Sequence, residues 1–445
     1  MTAAAPRPPA VRVTTAAARR PPWPVRRLFP ILGAVGLIVA GMIGTIWGPR
    51  YYGQTAWAVP DDLWATLVAA QRFLHLDLAG LYTPPTNLVS FPGTALILVP
   101  VAAIIDLAGL PLQTGADVQL RAGSQIGNHT EWLILGPAVV ILSALALFAA
   151  DALAERLGAS QFKRFLLAAA GATALWNVTI RWGHPEDAVA VGLLLYAVLA
   201  LSNQRPGRAA WLAGAAVAVQ PLVLLAFPFL LVTIEPRRLA GFVSRAAVPT
   251  LVLLGAAAAS NWTATIHAVT SQPNAPSVDH PTPWIYLTVL APHLSNGSVA
   301  AGPARALSIV VACGCALATW RRWRRARLGD WSPETLQELL WWVAFALALR
   351  SFFEPVMVSY YVWPPLAVAL VAASRSYLRL LPAGVSAGVL TFLSQSSWRN
   401  PWVWWTPMVV VLGFTLLFAW PRRSASAVAQ VLPEPGEQFV ADGAP

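Results

Sequence analysis

The feature that most constrains this chain is a recurrence of apolar runs, each about 17–25 residues long. That is the length a helix needs to cross roughly 30 Å of hydrocarbon. The runs extend from Phe29–Trp47 to Pro401–Ala419, mostly with short connections. No water reaches the middle of a bilayer, so each backbone N–H and C=O must be paired within the structure, and runs of this kind satisfy that as helices. Charge agrees: only 11% of the 445 residues are charged, against roughly a quarter in soluble domains. The expected fold is an all-α polytopic membrane protein with about 11–13 membrane segments.

The net charge of +11 does not imply nucleic acid. The basic residues gather in short loops, at Arg205/Arg208, Arg237/Arg238/Arg245, Arg321 to Arg327 and Arg422/Arg423. Cytoplasmic loops carry such an excess, and no soluble basic module is present to grip a phosphate backbone. Cys313 and Cys315 fall two apart in an apolar helix, on different sides of it, which suits neither a metal site nor a disulfide.

Four regions follow. Residues 1–28 read as a Pro- and Arg-rich disordered cytoplasmic tail, 29–240 and 241–420 as membrane modules, and 421–445 as a second cytoplasmic tail. Phe29–Trp47 then leads outward, which puts Pro60–Gly93 in a long first outer loop. Within it, residues 62–76 place Leu63, Leu67, Ala70 and Leu74 on one stripe, with Asp61, Arg72 and His75 on another side. This predicts an amphipathic helix lying on the membrane surface.

Two later runs cannot be simple spans. The basic loop Arg156–Arg164 belongs inside only if Phe91–Leu112, interrupted by Pro100 and Asp106, is a re-entrant hairpin or two short helices. Ala209–Ile234 has basic residues at both ends, so it should break at Gln220-Pro221 and return.

Under this topology the polar residues of interest share the outer side, and ionisable groups at membrane depth are functional candidates by default. Asp61 and Asp62 suit a helix cap or a general base for an acceptor hydroxyl; a divalent cation, magnesium or manganese, shared by the pair is a further use. Asp187 suits a cap of the helix Ala188–Leu201, with His184 and Glu186 as surface polar residues. The alternative has Arg181 and His184 holding a lipid phosphate while Glu186 or Asp187 orients it. Gln220 belongs to the same set. Arg350 and Glu354 stand four apart, as a structural ion pair would, and with Tyr360 and Tyr361 they equally suit sugar or phosphate binding. Arg399 and the loop histidines and acid His267, Asp279, His280 and His293 complete the outer polar inventory, the histidines without metal-ligand spacing. Trp341-Trp342, Trp402 and Trp404-Trp405 suit an interfacial belt. No Gly-rich phosphate loop or HExxH occurs, which disfavours a nucleotide-sugar donor.

Taken in order, Asp61-Asp62 in the first outer loop, Leu81-Tyr82 to Pro92, Gly183 to Asp187 before a Leu-rich span, and Arg205-Pro206-Gly207-Arg208 ahead of Gln220-Pro221 resemble the GT-C integral-membrane glycosyltransferases. The resemblance is especially to bacterial polyprenyl-phosphate-sugar-dependent enzymes such as actinobacterial mannosyltransferases, and it covers residues 29–240 best. It implies a bacterial plasma-membrane transferase with an extracytoplasmic site. A sugar, mannose foremost, would pass with inversion from a polyprenyl phosphate to a glycan, lipid or protein acceptor. Asp61 or Asp62 would be the base, and the Asp187 region would lie near the lipid phosphate. Gln220 stands where related sequences often carry lysine, and His184-Pro185-Glu186 replaces a more usual Gly-Gln. The rival readings are a transporter or flippase, which calls for matching halves and a midplane site, and a non-catalytic scaffold of the same fold.

Overall fold

Helices account for nearly all of the regular structure, as the hydrocarbon requires. The structure, a computed structural model, describes residues 22–47, 61–84, 86, 88, 90–110, 129–271, 280–287, 304–326, 331–396 and 400–421. The side chains of Asp61 and Asp62 lie outside what is described, as do Arg399, Asp279, His293 and the two predicted tails apart from residues 22–28 and 421.

A single turn, α1 (Trp23–Arg26), leads into α2 (Leu28–Trp47), and the first loop carries α3 (Asp61–Leu74). Next come α4 (Pro92–Leu96), α5 (Val99–Leu107), α6 (His129–Arg156), α7 (Gln161–Trp176) and α8 (Pro185–Ser202). α9 (Pro206–Val219), α10 (Phe227–Val232), α11 (Pro236–Ser260) and α12 (Trp262–Ser271) follow. The chain finishes with α13 (Ala304–Ala326), α14 (Pro333–Phe353), α15 (Trp363–Ala373), α16 (Tyr377–Leu393) and α17 (Pro401–Ala419). Among the described residues five helices are long and apolar enough to cross a membrane, namely α6 from Ile134, α8, α11, α14 and α17. Leu28–Gly44, Pro221–Val232, Ser359–Ala373 and Tyr377–Leu393 are shorter apolar segments. This is an all-α polytopic membrane protein. The strand pairing among the described residues is one antiparallel contact, β1 (His280–Pro281) on β2 (Val356–Met357).

α8 is the hub, buried along nearly its whole length between α6 and α9. Small residues let the helices close on each other, as they do where no hydrophobic drive separates helix from lipid. Gly192 lies against the backbone of Leu145 and Ala146, and Gly214 against the backbone of Ala246.

Both predicted breaks are present. Residues 92–107 form the two short helices α4 and α5, and Pro100 has no N–H to give the Leu96 carbonyl. The second run ends its first helix at Val219 and resumes as a 3₁₀ turn, Pro221–Ala226, followed by α10. α9 and α11 run parallel: Gly214 meets Ala246, Gly93 meets Ala218, and Ala95 of the same short helix shares a cluster with Ala257. Residues 221–234 therefore carry the chain back to the end from which α9 started.

The amphipathic helix needs correction. Leu63, Leu67 and Ala70 do line one face of α3, but they are buried in the main core with Leu98, Val101 and Ala102 of the α4–α5 region. Protein rather than lipid covers the stripe, so α3 is docked on the bundle. The tryptophans also divide, since Trp341 and Trp404 are buried and Trp402 is exposed.

Charge separates by end. At one end Asp151 accepts from Arg27 at 2.6 Å and from Arg164 at 2.7 and 2.6 Å, Arg26 bonds Glu155 at 2.9 Å, and Arg375 bonds Glu334 at 2.5 Å. The candidate site residues lie at the other end.

Candidate functional site

The site is assembled around the turn between α7 and α8. The last turn before it, Asn177–Arg181, is a π turn, a wide form common at functional sites. Asn177 holds it to α16: its Nδ2 donates to Thr391 O and Ser394 Oγ at 2.9 Å, and its Oδ1 accepts from Gln395 Nε2 at 2.7 Å. Trp182 Nε1 donates to Ser359 Oγ at 3.0 Å. Gly183 then adopts φ +60°, where a side chain is strained. A Cβ there would also meet Leu63 Cδ2 at 2.6 Å. The turn and the start of α3 are thus in direct contact.

α8 begins at Pro185, with Glu186 and Asp187 in its first turn, where carboxylates favour the positive end of the helix dipole. His184 Nδ1 lies 2.6 Å from Glu186 Oε1, and its ring stacks on Tyr360 at 3.9 Å. Asp187 is 1% exposed. Its Oδ1 accepts from Gln220 Nε2 at 2.7 Å, while its buried Oδ2 has no hydrogen bond among the described residues. The cap reading is therefore corrected: the helix starts before Asp187, and the carboxylate points to the break after α9. His184 and Glu186 are buried, not surface residues.

Gln220 also edges a cleft of about 180 Å³ between the broken segment, α13 and the end of α14. Its walls include Leu222, Leu224 and Ile309, with Arg305, Arg350 and Glu354 as the charged rim. Arg350 lies over the Tyr361 ring at 3.4 Å. Glu354, 2% exposed, accepts from Arg305 Nε at 2.9 Å and Nη2 at 2.8 Å. The predicted Arg350–Glu354 ion pair is thus replaced. α14 ends at Phe353 and Glu354 turns extended, so the i,i+4 stripe stops one residue short and the carboxylate swings to α13. The 280–287 segment closes over this corner, with Thr282 Oγ1 donating to Glu354 O at 2.6 Å and Trp284 Nε1 to Phe352 O at 2.7 Å.

The first loop converges on the same place. Thr94 Oγ1 donates to Val219 O at 2.6 Å, and a Cβ on Gly93 would collide with the Ala218 carbonyl. Within the loop, Arg72 bonds both Asp77 and Thr86. Tyr82 donates to Ser90 O at 3.1 Å, and burial pushes its phenol well above the usual range, so it keeps its proton.

His184, Glu186, Asp187, Gln220 and Tyr360 are therefore linked by direct contacts, with Arg350, Glu354 and Tyr361 at the adjoining cleft. Arg181 ends the π turn, half-buried. Two contributors escaped the sequence reading. Arg305 carried a signal, being a lone arginine at the end of an apolar run away from the Arg321–Arg327 cluster. Asn177 carried none, since its role comes from a partner helix 214 residues on. Among the described residues no group of three or more His, Cys, Asp or Glu side chains gathers as a metal site would, and a cation on Asp61 and Asp62 concerns side chains outside the description. No protein-family model matches the chain, and no curated protein matches it.

Proposed function

We propose that this protein moves a monosaccharide, mannose foremost, from a polyprenyl phosphate to an acceptor hydroxyl at the membrane surface. One observation carries the reading. Leu63, the residue after the acidic pair, packs on Gly183. That contact brings the start of α3 beside two buried carboxylates and within one hydrogen bond of a cleft rimmed by Arg305 and Arg350. A general base, a leaving-phosphate site and an apolar path for a lipid chain are what such a transfer requires.

In the proposed reaction Asp61, or Asp62 in its place, takes the proton of the acceptor hydroxyl. The freed oxygen bonds to the anomeric carbon as the bond from that carbon to the phosphate oxygen breaks on the opposite face, so configuration inverts. The electron pair leaves with the polyprenyl phosphate, and Arg350 and Arg305 meet the charge; fixed cations in a dry site need no reorganisation to do so. Leu222, Leu224 and Ile309 offer the lipid chain an apolar wall. On this reading the fold is GT-C-like, and α7, α9 and α13 join the five long and four shorter apolar segments to make about 11–13. The site faces outward from a bacterial plasma membrane, with the arginine-rich end cytoplasmic.

The test is transfer from labelled polyprenyl-phosphate mannose in membranes carrying Asp61→Asn, Asp62→Asn or both. Loss in one single variant and in the double is expected. Unchanged transfer in all three would overturn the assignment, and lipid movement without transfer would replace it with a flippase.

A further inference from the structure

The end of the bundle away from the site carries a charged patch that sugar transfer does not use. α9 and α11 start side by side there; Arg205, Arg208, Arg237 and Arg238 stand around their first turns and Arg245 about two turns further along α11, all exposed. Arg238 pairs with Glu235 at 3.1 Å. Among the described residues no hydrogen bond or ion pair engages the guanidinium of Arg205, Arg208, Arg237 or Arg245. Positive charge thus exceeds negative charge across the seam.

The seam is also shaped. Arg245 Nη1 lies 3.8 Å from the point where a Cβ would stand on Gly207 of α9, and 3.8 Å from the same point on Gly241 of its own helix. The guanidinium is thus close to both helices and reaches across from one to the other. Along α11 the next turns of that face present Val248 and Val252, and Trp211 stands one turn on from Gly207; all three are exposed. α11 as a whole has only 17% of its apolar span buried, which leaves this face to lipid.

We infer that the seam is a binding site for an anionic phospholipid. The phosphate sits among Arg208, Arg237 and Arg245, and the acyl chains lie along Trp211, Val248 and Val252. Guanidinium forks match phosphate oxygens, and an indole at headgroup depth suits a membrane interface. The apolar continuation beyond the arginines selects a lipid over a soluble anion, which would leave that face uncovered. This inference is independent of the sugar-transfer reading.

The experiment reconstitutes the full chain in bilayers of equimolar phosphatidylcholine and phosphatidylglycerol, then extracts it and measures retained lipid by native mass spectrometry. Phosphatidylglycerol should be enriched. Arg208→Gln/Arg237→Gln/Arg245→Gln should lose that enrichment by at least about tenfold, given about fivefold per arginine near a membrane surface. The matching lysine triple should keep most of it, and Arg321→Gln should not change it. If the triple glutamine variant does not yield monodisperse protein, Arg208→Gln alone, at an exposed position whose guanidinium has no bond among the described residues, should still lower retention about fivefold. Equal retention of both lipids, equal loss in the glutamine and lysine triples, or complete displacement by inorganic phosphate would overturn the site.

Discussion

Gln220 and Asp187 join two helix ends from segments 33 residues apart: the amide donates to Oδ1 at 2.7 Å, and the carboxylate it holds is 1% exposed. The bond spans from the first turn of α8 to the break after α9. It leaves one oxygen of a buried carboxylate without a described partner. Gln220→Ala should therefore destabilise the protein by about 1–3 kcal/mol, the cost of stranding a buried polar group. Gln220→Lys supplies a cation to the same carboxylate and should hold or raise stability. Thermal unfolding of both variants in one detergent checks this, and a lysine variant less stable than the alanine variant would contradict it.

The Arg305–Glu354 pair is a second place to probe. Arg305→Ala strands a carboxylate that is 2% exposed; because the arginine is itself 34% exposed, the cost should be at or below about 3 kcal/mol, the low end for breaking a buried pair from one side. Arg305→Met combined with Glu354→Gln should recover most of that loss. A double-mutant cycle on unfolding temperature measures the coupling. Additive losses would show that the pair does not act as a unit.

Gly183→Ala tests the contact between the turn and the first loop. The residue sits at φ +60°, where a Cβ costs roughly 1–2 kcal/mol, and the new methyl would push on Leu63. On the proposed function, sugar transfer should fall further than stability does, because the start of α3 moves relative to the buried carboxylates. Adding Leu63→Ala removes the collision but not the backbone strain, so it should restore part of the activity. No recovery in the double variant would separate the effect from Leu63.

Tyr82 sets an alkaline limit. Its phenol is raised by burial in the folded protein, so above the ordinary phenol value of about 10 the unfolded chain releases this proton first. Stability contributed by the protonated phenol is full below that pH and declines as pH rises past it. Tyr82→Phe should flatten the alkaline part of a stability–pH curve and leave the neutral part unchanged except for the lost bond to Ser90. An unchanged alkaline slope would count against the burial.

Apolar length and proline position made most of the architecture legible. Pro221 and the polar residue before it marked a break that parallel packing of α9 and α11 requires. The first loop was legible as a helix, but its setting was not, because an apolar stripe has the same spacing whether lipid or protein covers it. Asp187 and Glu354 show the limit for the site. Local spacing suggests a cap and an i,i+4 pair, yet each carboxylate takes its partner from another segment, Gln220 in one case and Arg305 in the other. Sequence periodicity reports neighbours on one helix and is silent about those across a seam.

The hydrogen bond from Thr94 to the Val219 carbonyl has a bearing on biogenesis. Its two ends are 125 residues apart, and chains are made from the N-terminus. The first loop is therefore synthesised well before the helix end that receives it. Until α9 is in place, Gly93 and Thr94 lack the Ala218 and Val219 carbonyls against which they dock. The Val219 carbonyl, next to the residue that holds Asp187, finds its donor only in a segment laid down much earlier. The site is thus a late product of membrane insertion, completed only after α9 meets the first loop and α13 and α14 bring Arg305 and Arg350 to the cleft.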